Sequence, residues 1–390
     1  MNKKIAALAL ALGLLGIGAS FAPAAGGAPG DASSPCNNGK SSNFQLQSTI
    51  AFSSTRDHVN DDPALTPPLL GAEVYLTNPD MTDPRRLTNN SAFDGFAALS
   101  PDGNKIVFDS TRYTGSLNSS DLFWMNTDGT EQTLLTRGSS ATWSPDCKNI
   151  AFHASASYYA SGGVVTGYPL RTDPGSATSD SDIFVANVDD LLAGTATPRN
   201  ITGSWTVSDG QRTKIADDPD WSPDGLHIAF TAHDVGDEGP NWPARPFLSN
   251  TAEIYVTNAD GTGTPQQVTH NGEEERGPAW SPDGTRIAYA CRIGAEFNPS
   301  ADFEICVMNA DGSGQKQLTD NTVADLTPTW SPDGQQILFH RTVGGAGSGN
   351  QQLFIMNADG TQQTQLTFGT PTSGDGVNNL AHWGELRVKD

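Results

Sequence analysis

One short phrase recurs along the 390-residue chain and constrains what it can build. Ser-Pro-Asp, usually after Trp and before Gly, appears at Leu99–Gly103, Trp143–Cys147, Trp221–Gly225, Trp280–Gly284 and Trp330–Gly334. Each copy leads into an apolar triplet: Ile106-Val107-Phe108, Ile150-Ala151-Phe152, Ile228-Ala229-Phe230, Ile287-Ala288-Tyr289 and Ile337-Leu338-Phe339. A second cassette follows, as in Ile254-Tyr255-Val256-Thr257-Asn258-Ala259-Asp260-Gly261, and ends at Gln267-Val268-Thr269. A unit this small cannot bury its own faces, so it must stack on its neighbours.

Each unit divides into four short strands, a to d. Strand a ends at Trp-Ser. Pro-Asp-Gly makes the turn, Pro presetting φ and Gly accepting a positive one. Strand b is the apolar triplet. Strand c is the Ile-Tyr-Val run, whose Asn-x-Asp-Gly tail is a hairpin signal. Strand d ends at an apolar-Thr pair such as Leu87-Thr88 or Leu366-Thr367. Strands b and c are apolar at successive positions, as in sheets covered on both faces. Strands c and d occur six times, but the Ser-Pro-Asp phrase only five. The first unit starts at strand b, Ile50-Ala51-Phe52, and Leu380-Ala381-His382-Trp383 supplies its missing strand a. The expected fold is therefore all-β: a six-bladed β-propeller of four-stranded blades, closed by the C-terminal strand joining the first blade.

These residues resemble a known family. Trp-Ser-Pro-Asp-Gly-x-x-Ile-Ala-Phe and Met-Asn-Ala-Asp-Gly are similar to the TolB-type, WD-like propeller repeat, from Ile50 to Trp383. The resemblance implies action through protein contacts in the cell envelope. Other family branches carry a peptidase domain, and distant relatives are lyases with histidine-held metals. TolB-type envelope proteins carry an α/β domain before the propeller; here only a short lead-in separates the expected leader from strand b.

Residues 1–24 read as a secretory signal: Lys3 and Lys4, an apolar run from Ile5 to Ile17, then small residues. The run is too short to span a bilayer, and no later stretch is apolar enough. Residues 25–45, rich in Ala, Gly, Pro and Ser, form a flexible lead-in, and 46–390 the propeller. The expectation is an exported protein, periplasmic or extracellular. Four cysteines suit an oxidising compartment. Cys291 and Cys306 fall on consecutive strands and form the first expected disulfide, leaving Cys36 and Cys147 for a second. The formal net charge of −22 disfavours nucleic acid and anionic lipid.

Catalytic signatures are sparse. There is no Gly-x-Ser-x-Gly elbow; Ser348 sits in a glycine-rich loop of the wrong spacing. No phosphate-binding loop is present. The Asn126–Glu131 turn resembles a calcium loop but lacks its further acids. His153, His340 and His382 lie on or beside strands and His233 and His270 at strand ends, which favours packed residues over metal ligands. No cofactor is expected; a divalent cation in the channel, as in a polysaccharide lyase or glycan binder, is the alternative.

Two features point to binding. Asp94, Glu275, Asp325 and Asn378 precede the strand-a Trp slot by five residues, with Asp217 displaced by one. They could form an acidic ring at one channel mouth, or each could cap its loop or pair with a blade arginine such as Arg56 or Arg112. The long insertions, meanwhile, are b–c loops 154–181, 232–252 and 56–72 and the d–a connection 203–216. All leave one face. They carry Tyr158, Tyr159, Tyr168, Arg171, Trp205, Trp242, Arg245 and Phe247, side chains that join large contact area to a polar handle. The expected function is a non-catalytic, monomeric module that binds a protein or peptide on that face.

Overall fold

The computed structural model describes residues 44–57, 71–114, 120–155, 181–203, 214–234, 252–271, 273–292, 302–344, 350–369 and 378–389. Among these, strands group into six antiparallel four-stranded sheets, the blades of a six-bladed propeller. Blade 1 comprises β1 (Phe44–Ser54), β2 (Glu73–Thr77) and β3 (Arg85–Arg86). Blade 2 is β4 (Asp94–Leu99), β5 (Lys105–Ser110), β6 (Asp121–Asn126) and β7 (Thr133–Arg137). Blade 3 is β8 (Ser139–Trp143), β9 (Asn149–Ser155), β10 (Ser181–Asn187) and β11 (Arg199–Asn200), with one helical turn, α1 (Val188–Leu192), between the last two. Blade 4 is β12 (Lys214–Trp221), β13 (His227–Asp234), β14 (Glu253–Asn258) and β15 (Gln266–Gln267). Blade 5 is β16 (Glu274–Trp280), β17 (Arg286–Arg292), β18 (Glu304–Asn309) and β19 (Lys316–Gln317). Blade 6 is β20 (Asp325–Trp330), β21 (Gln336–Val343), β22 (Asn350–Asn357) and β23 (Thr364–Gln365).

The last strand, β24 (Asn378–Lys389), is the missing strand a of blade 1. It pairs with β1 from Ser54↔Asn378 to Phe44↔Lys389, with Trp383 opposite Ile50. The innermost strands β4, β8, β12, β16, β20 and β24 touch in succession, so the ring closes. The outer strands of five blades are only two residues long in β3, β11, β15, β19 and β23, which leaves little edge for another chain to pair with.

The core is divided among the seams between blades. Ala51, Val74 and Leu76 of blade 1 pack on Ile106, Phe108 and Met125 of blade 2. Ile50, Phe52 and Tyr75 pack on Leu338 and Leu353 of blade 6, with Trp383. Every strand-b triplet is buried, because both blade faces meet a neighbour. The Ser-Pro-Asp phrase is a turn device. Ser100 Oγ donates to Asp102 at 2.6 Å and accepts from the Lys105 amide at 2.9 Å. Ser144, Ser222, Ser281 and Ser331 donate to their aspartates in the same way.

Blade ends differ between the two faces. On one, the a–b turns span only 100–104, 144–148, 222–226, 281–285 and 331–335. On the other, b–c connections 55–72, 156–180 and 235–252 and d–a connection 201–213 are long. Strand alternation and turn chemistry thus give a plain face and an elaborated one.

Candidate functional site

Beneath the elaborated face lies a layer of buried charge built from the repeat itself. Strands b and c each contribute an aromatic residue at the same level, and in blade 2 Phe108 and Phe123 lie 5.7 Å apart. The Arg112 guanidinium carbon sits 4.5 Å from the Phe123 ring centre and 5.5 Å from that of Phe108. From there Arg112 reaches Asp94, at the start of β4, at 2.9 Å. Asp94 also accepts from Ser110 at 2.5 Å and Asn90 at 2.6 Å. Blade 6 repeats the design: Arg341 stacks on Phe339 and Phe354 and grips both Asp325 oxygens at 2.7 Å. In blade 1, Arg56 stacks on Phe52 and Tyr75 and donates to Asn378 at 3.2 Å.

The proposed acidic ring therefore does not line an open mouth. Asp94, Glu275, Asp325 and Asn378 do occupy equivalent positions, the starts of β4, β16, β20 and β24 or one residue on, but all four are fully buried. Asp217, in β12, is half-buried. Arginine pairing is what holds Asp94, Asp325 and Asn378. The reason is energetic: a carboxylate shut away from water needs a cation and hydrogen bonds of its own.

Blade 5 breaks the design. Cys306 stands where the other blades place the strand-c aromatic, opposite Tyr289. It forms a disulfide with Cys291, the residue opposite Glu275. Cys147 is also disulfide-bonded, and Cys36 lies outside the described residues. Glu275 instead meets Glu253, at the start of β14. Burial first, then the Glu253 charge, push the Glu275 carboxyl up to about 9.

The channel wall shows a second repeated device. Every inner strand carries a bulge, marked by a left-handed residue: Phe96, Ser140, Asp218, Gly277, Thr327 and Leu380, with φ between 48° and 55°. Strand-b side chains of the preceding blade cap three of these bulges. Asp109 accepts from the Ser140 amide at 3.1 Å, His153 Nδ1 from Asp218 at 3.4 Å and Thr231 Oγ1 from Gly277 at 3.0 Å. His382 Nδ1 accepts from the Leu99 amide at 3.4 Å and Asp220 from the Trp280 amide at 2.7 Å. Burial lowers His340 and His382 to about 4, so both are neutral near pH 7. Among the described residues no three His, Cys, Asp or Glu side chains gather as a metal-ligand set.

Residues 246–383 match the family model of the TolB beta propeller domain. Over these residues the chain is a TolB-type propeller domain. Solved structures give the same fold at low identity. TolB from Acinetobacter baumannii has a TM-score of 0.56 at 17% identity, over 86% of this chain and 66% of that one. A putative TolB from Agrobacterium tumefaciens has a TM-score of 0.51 at 16% identity, over 89% and 100%. Hydrazine synthase from Kuenenia stuttgartiensis has a TM-score of 0.56 at 16% identity, over 89% and 48%. No curated protein sequence matches the chain.

In this TolB-type propeller the eight loop residues singled out from the sequence, Tyr158, Tyr159, Tyr168, Arg171, Trp205, Trp242, Arg245 and Phe247, lie outside the described residues. The strand ends from which their connections leave are described: Ser155 and Ser181, Gly203 and Lys214, Asp234 and Ala252. All belong to the face above the arginine layer. The arginine–aromatic stacks themselves were only partly readable, because Arg56 and Arg112 follow strand b by position while Arg341 lies within β21.

Proposed function

We propose that this TolB-type propeller is an exported, non-catalytic binding module that takes a protein or peptide partner on its elaborated face. The observation that carries the reading is the placement of the long connections, 55–72, 156–180, 201–213 and 235–252, at one end of the blades. Below them, the Arg112–Asp94 and Arg341–Asp325 pairs and the aromatic stacks make a rigid floor. A rigid floor lets loops present contacts at low ordering cost. Tyr158, Tyr159, Tyr168, Arg171, Trp205, Trp242, Arg245 and Phe247 supply contact chemistry of the kind that dominates interfaces. The Cys291–Cys306 disulfide suits an exported protein.

The test is a crosslinking pull-down from extract of the source cells. Replacing Trp205, Trp242 and Arg245 together by Ala should abolish capture of the partner that the wild type enriches. Leu226→Ala, on the plain face and 62% exposed, should leave capture unchanged. Capture that survives the triple change would remove the loops from the site.

A further inference from the structure

Three of the seams between blades share a plan in which paired polar groups are held by arginine, and the seam between blades 4 and 5 departs from it. Between blades 1 and 2, Glu73 is held by Arg86 at 2.8 Å and Asp94 by Arg112 at 2.9 Å. Asn90 joins the two acids, its amide nitrogen reaching Glu73 and its side chain Asp94, each at 2.6 Å. Between blades 5 and 6, Asn321 likewise joins Glu304 to Asp325, and Arg341 neutralises Asp325. Between blades 6 and 1 the acids are replaced by Gln352 and Asn378, 3.1 Å apart, with Arg56 on Asn378.

The seam between blades 4 and 5 keeps both acids and has neither arginine at the matching positions. Gln267 occupies the register position of Arg86, and its side chain is engaged with the Thr269 carbonyl and the Tyr255 hydroxyl. The Cys291–Cys306 disulfide occupies the ground on which Arg112 and Arg341 stack. The Glu275 amide donates to Ala252 at 2.8 Å, which sets the start of β16 beside the start of β14. Glu275 is 0% exposed and Glu253 7%. Among the described residues no cation pairs with either glutamate; Asn271 and Thr269 offer Glu275 only neutral donors, too poorly placed to make a full hydrogen bond.

Other groups near this seam are accounted for. Tyr289 of β17 faces both glutamates, and burial with their charges raises its hydroxyl, so it stays neutral. Asn271 and Thr269, after β15, are the neutral polar neighbours. Glu274 and Arg276 flank Glu275 in β16 and point to the other side of the strand, where Glu274 pairs with Arg276 at 2.6 Å and Arg292 of β17 at 3.5 Å. His233, near the end of β13, is buried one residue from Ala232, the register partner of Glu253. Two carboxylates cannot both stay charged in such a place without a counter-ion.

We propose that a proton shared between Glu253 and Glu275 holds the seam between blades 4 and 5 in place of the arginines used elsewhere, and that this seam loosens as the proton leaves. The sign follows from linkage. The folded chain binds a proton there that the unfolded chain releases in the ordinary carboxyl range, so this contribution is complete at low pH and is lost as pH rises toward about 9.

The experiment is thermal and urea unfolding of the full chain between about pH 5 and about pH 10, for the wild type, Glu275→Gln and Glu253→Gln. The ratio of wild-type to Glu275→Gln unfolding constants should rise by up to about tenfold per pH unit until about pH 9, then level. Glu253→Gln should remove the same dependence. Parallel pH profiles for all three would overturn the proposal. Stabilisation of the wild type by added calcium at fixed pH, absent in Glu275→Gln, would also overturn it, because a metal ion would then hold the seam. Infrared difference spectra provide a second reading: a buried protonated-carboxyl band present in the wild type and missing in Glu275→Gln should vanish on raising pH from about 7 to about 10, and its absence from the wild type at pH 7 would contradict the proposal.

Discussion

The indole nitrogen of Trp383 donates to Ser48 Oγ at 2.7 Å, joining residues 335 positions apart. Trp383 is buried among Ile50, Phe52 and Tyr75 of blade 1 and Leu338 and Leu353 of blade 6. It is therefore packing for the closing seam as well as a tie within the first blade. Trp383→Ala should cost about 3–5 kcal/mol by equilibrium urea unfolding. A loss under about 1 kcal/mol would mean that the ring is not closed through this strand.

Gly103 tests the same closure from the plain face. Its φ is +67°, and a Cβ there would lie 2.4 Å from the Arg387 amide nitrogen and 2.8 Å from the Glu385 carbonyl oxygen. Both are backbone atoms of β24 and cannot swing aside. Gly103→Ala should destabilise by about 1–3 kcal/mol, whereas Gly225→Ala, whose nearest neighbour is a Pro145 ring carbon at 3.8 Å, should cost less. Thermal unfolding of the two variants side by side checks the order. Equal losses would show that only the turn geometry matters.

Arg112→Ala would leave Asp94 buried with no cation and should cost about 3–5 kcal/mol. Adding Asp94→Asn to that variant should recover part of the loss, because the stranded charge is then gone. A double-mutant cycle in urea measures this. Additive losses would mean that Arg112 acts only through its stack on Phe123.

The Cys291–Cys306 disulfide closes a sequence separation of 15. Replacing both cysteines by Ala should lower stability by about 2–4 kcal/mol. Reducing agent should shift the wild-type midpoint in the same direction and leave that of the double variant closer to unchanged. If reductant moves neither, the bridge is not a stabilising element.

The blades were legible because turn chemistry and apolar triplets are local. Pro145, Asp146 and Ile150 announce a turn and a strand without reference to the rest of the chain. Trp383 could be placed because it fills a slot that five other units define. The buried charge was harder to read. Asp94 and Asp325 carry the same position in sequence, but whether they face water or an arginine depends on the stack formed by Phe108 and Phe123 or by Phe339 and Phe354. The bulges were not anticipated at all, since Phe96, Ser140, Asp218, Thr327 and Leu380 are not residues that announce a left-handed backbone. At Ser140 and Asp218 the compensating acceptor comes from the neighbouring blade, through Asp109 and His153. Local pattern carries no sign of that partner.

The central claim is that the elaborated face carries the partner. Covalent footprinting of the crosslinked complex, read by mass spectrometry, measures this directly. Protection should concentrate in peptides covering 156–180, 201–213 and 235–252, and the plain-face turns at Asp102, Asp224 and Asp333 should label as in the free protein. Protection of those turns with full labelling of the three connections would contradict the account.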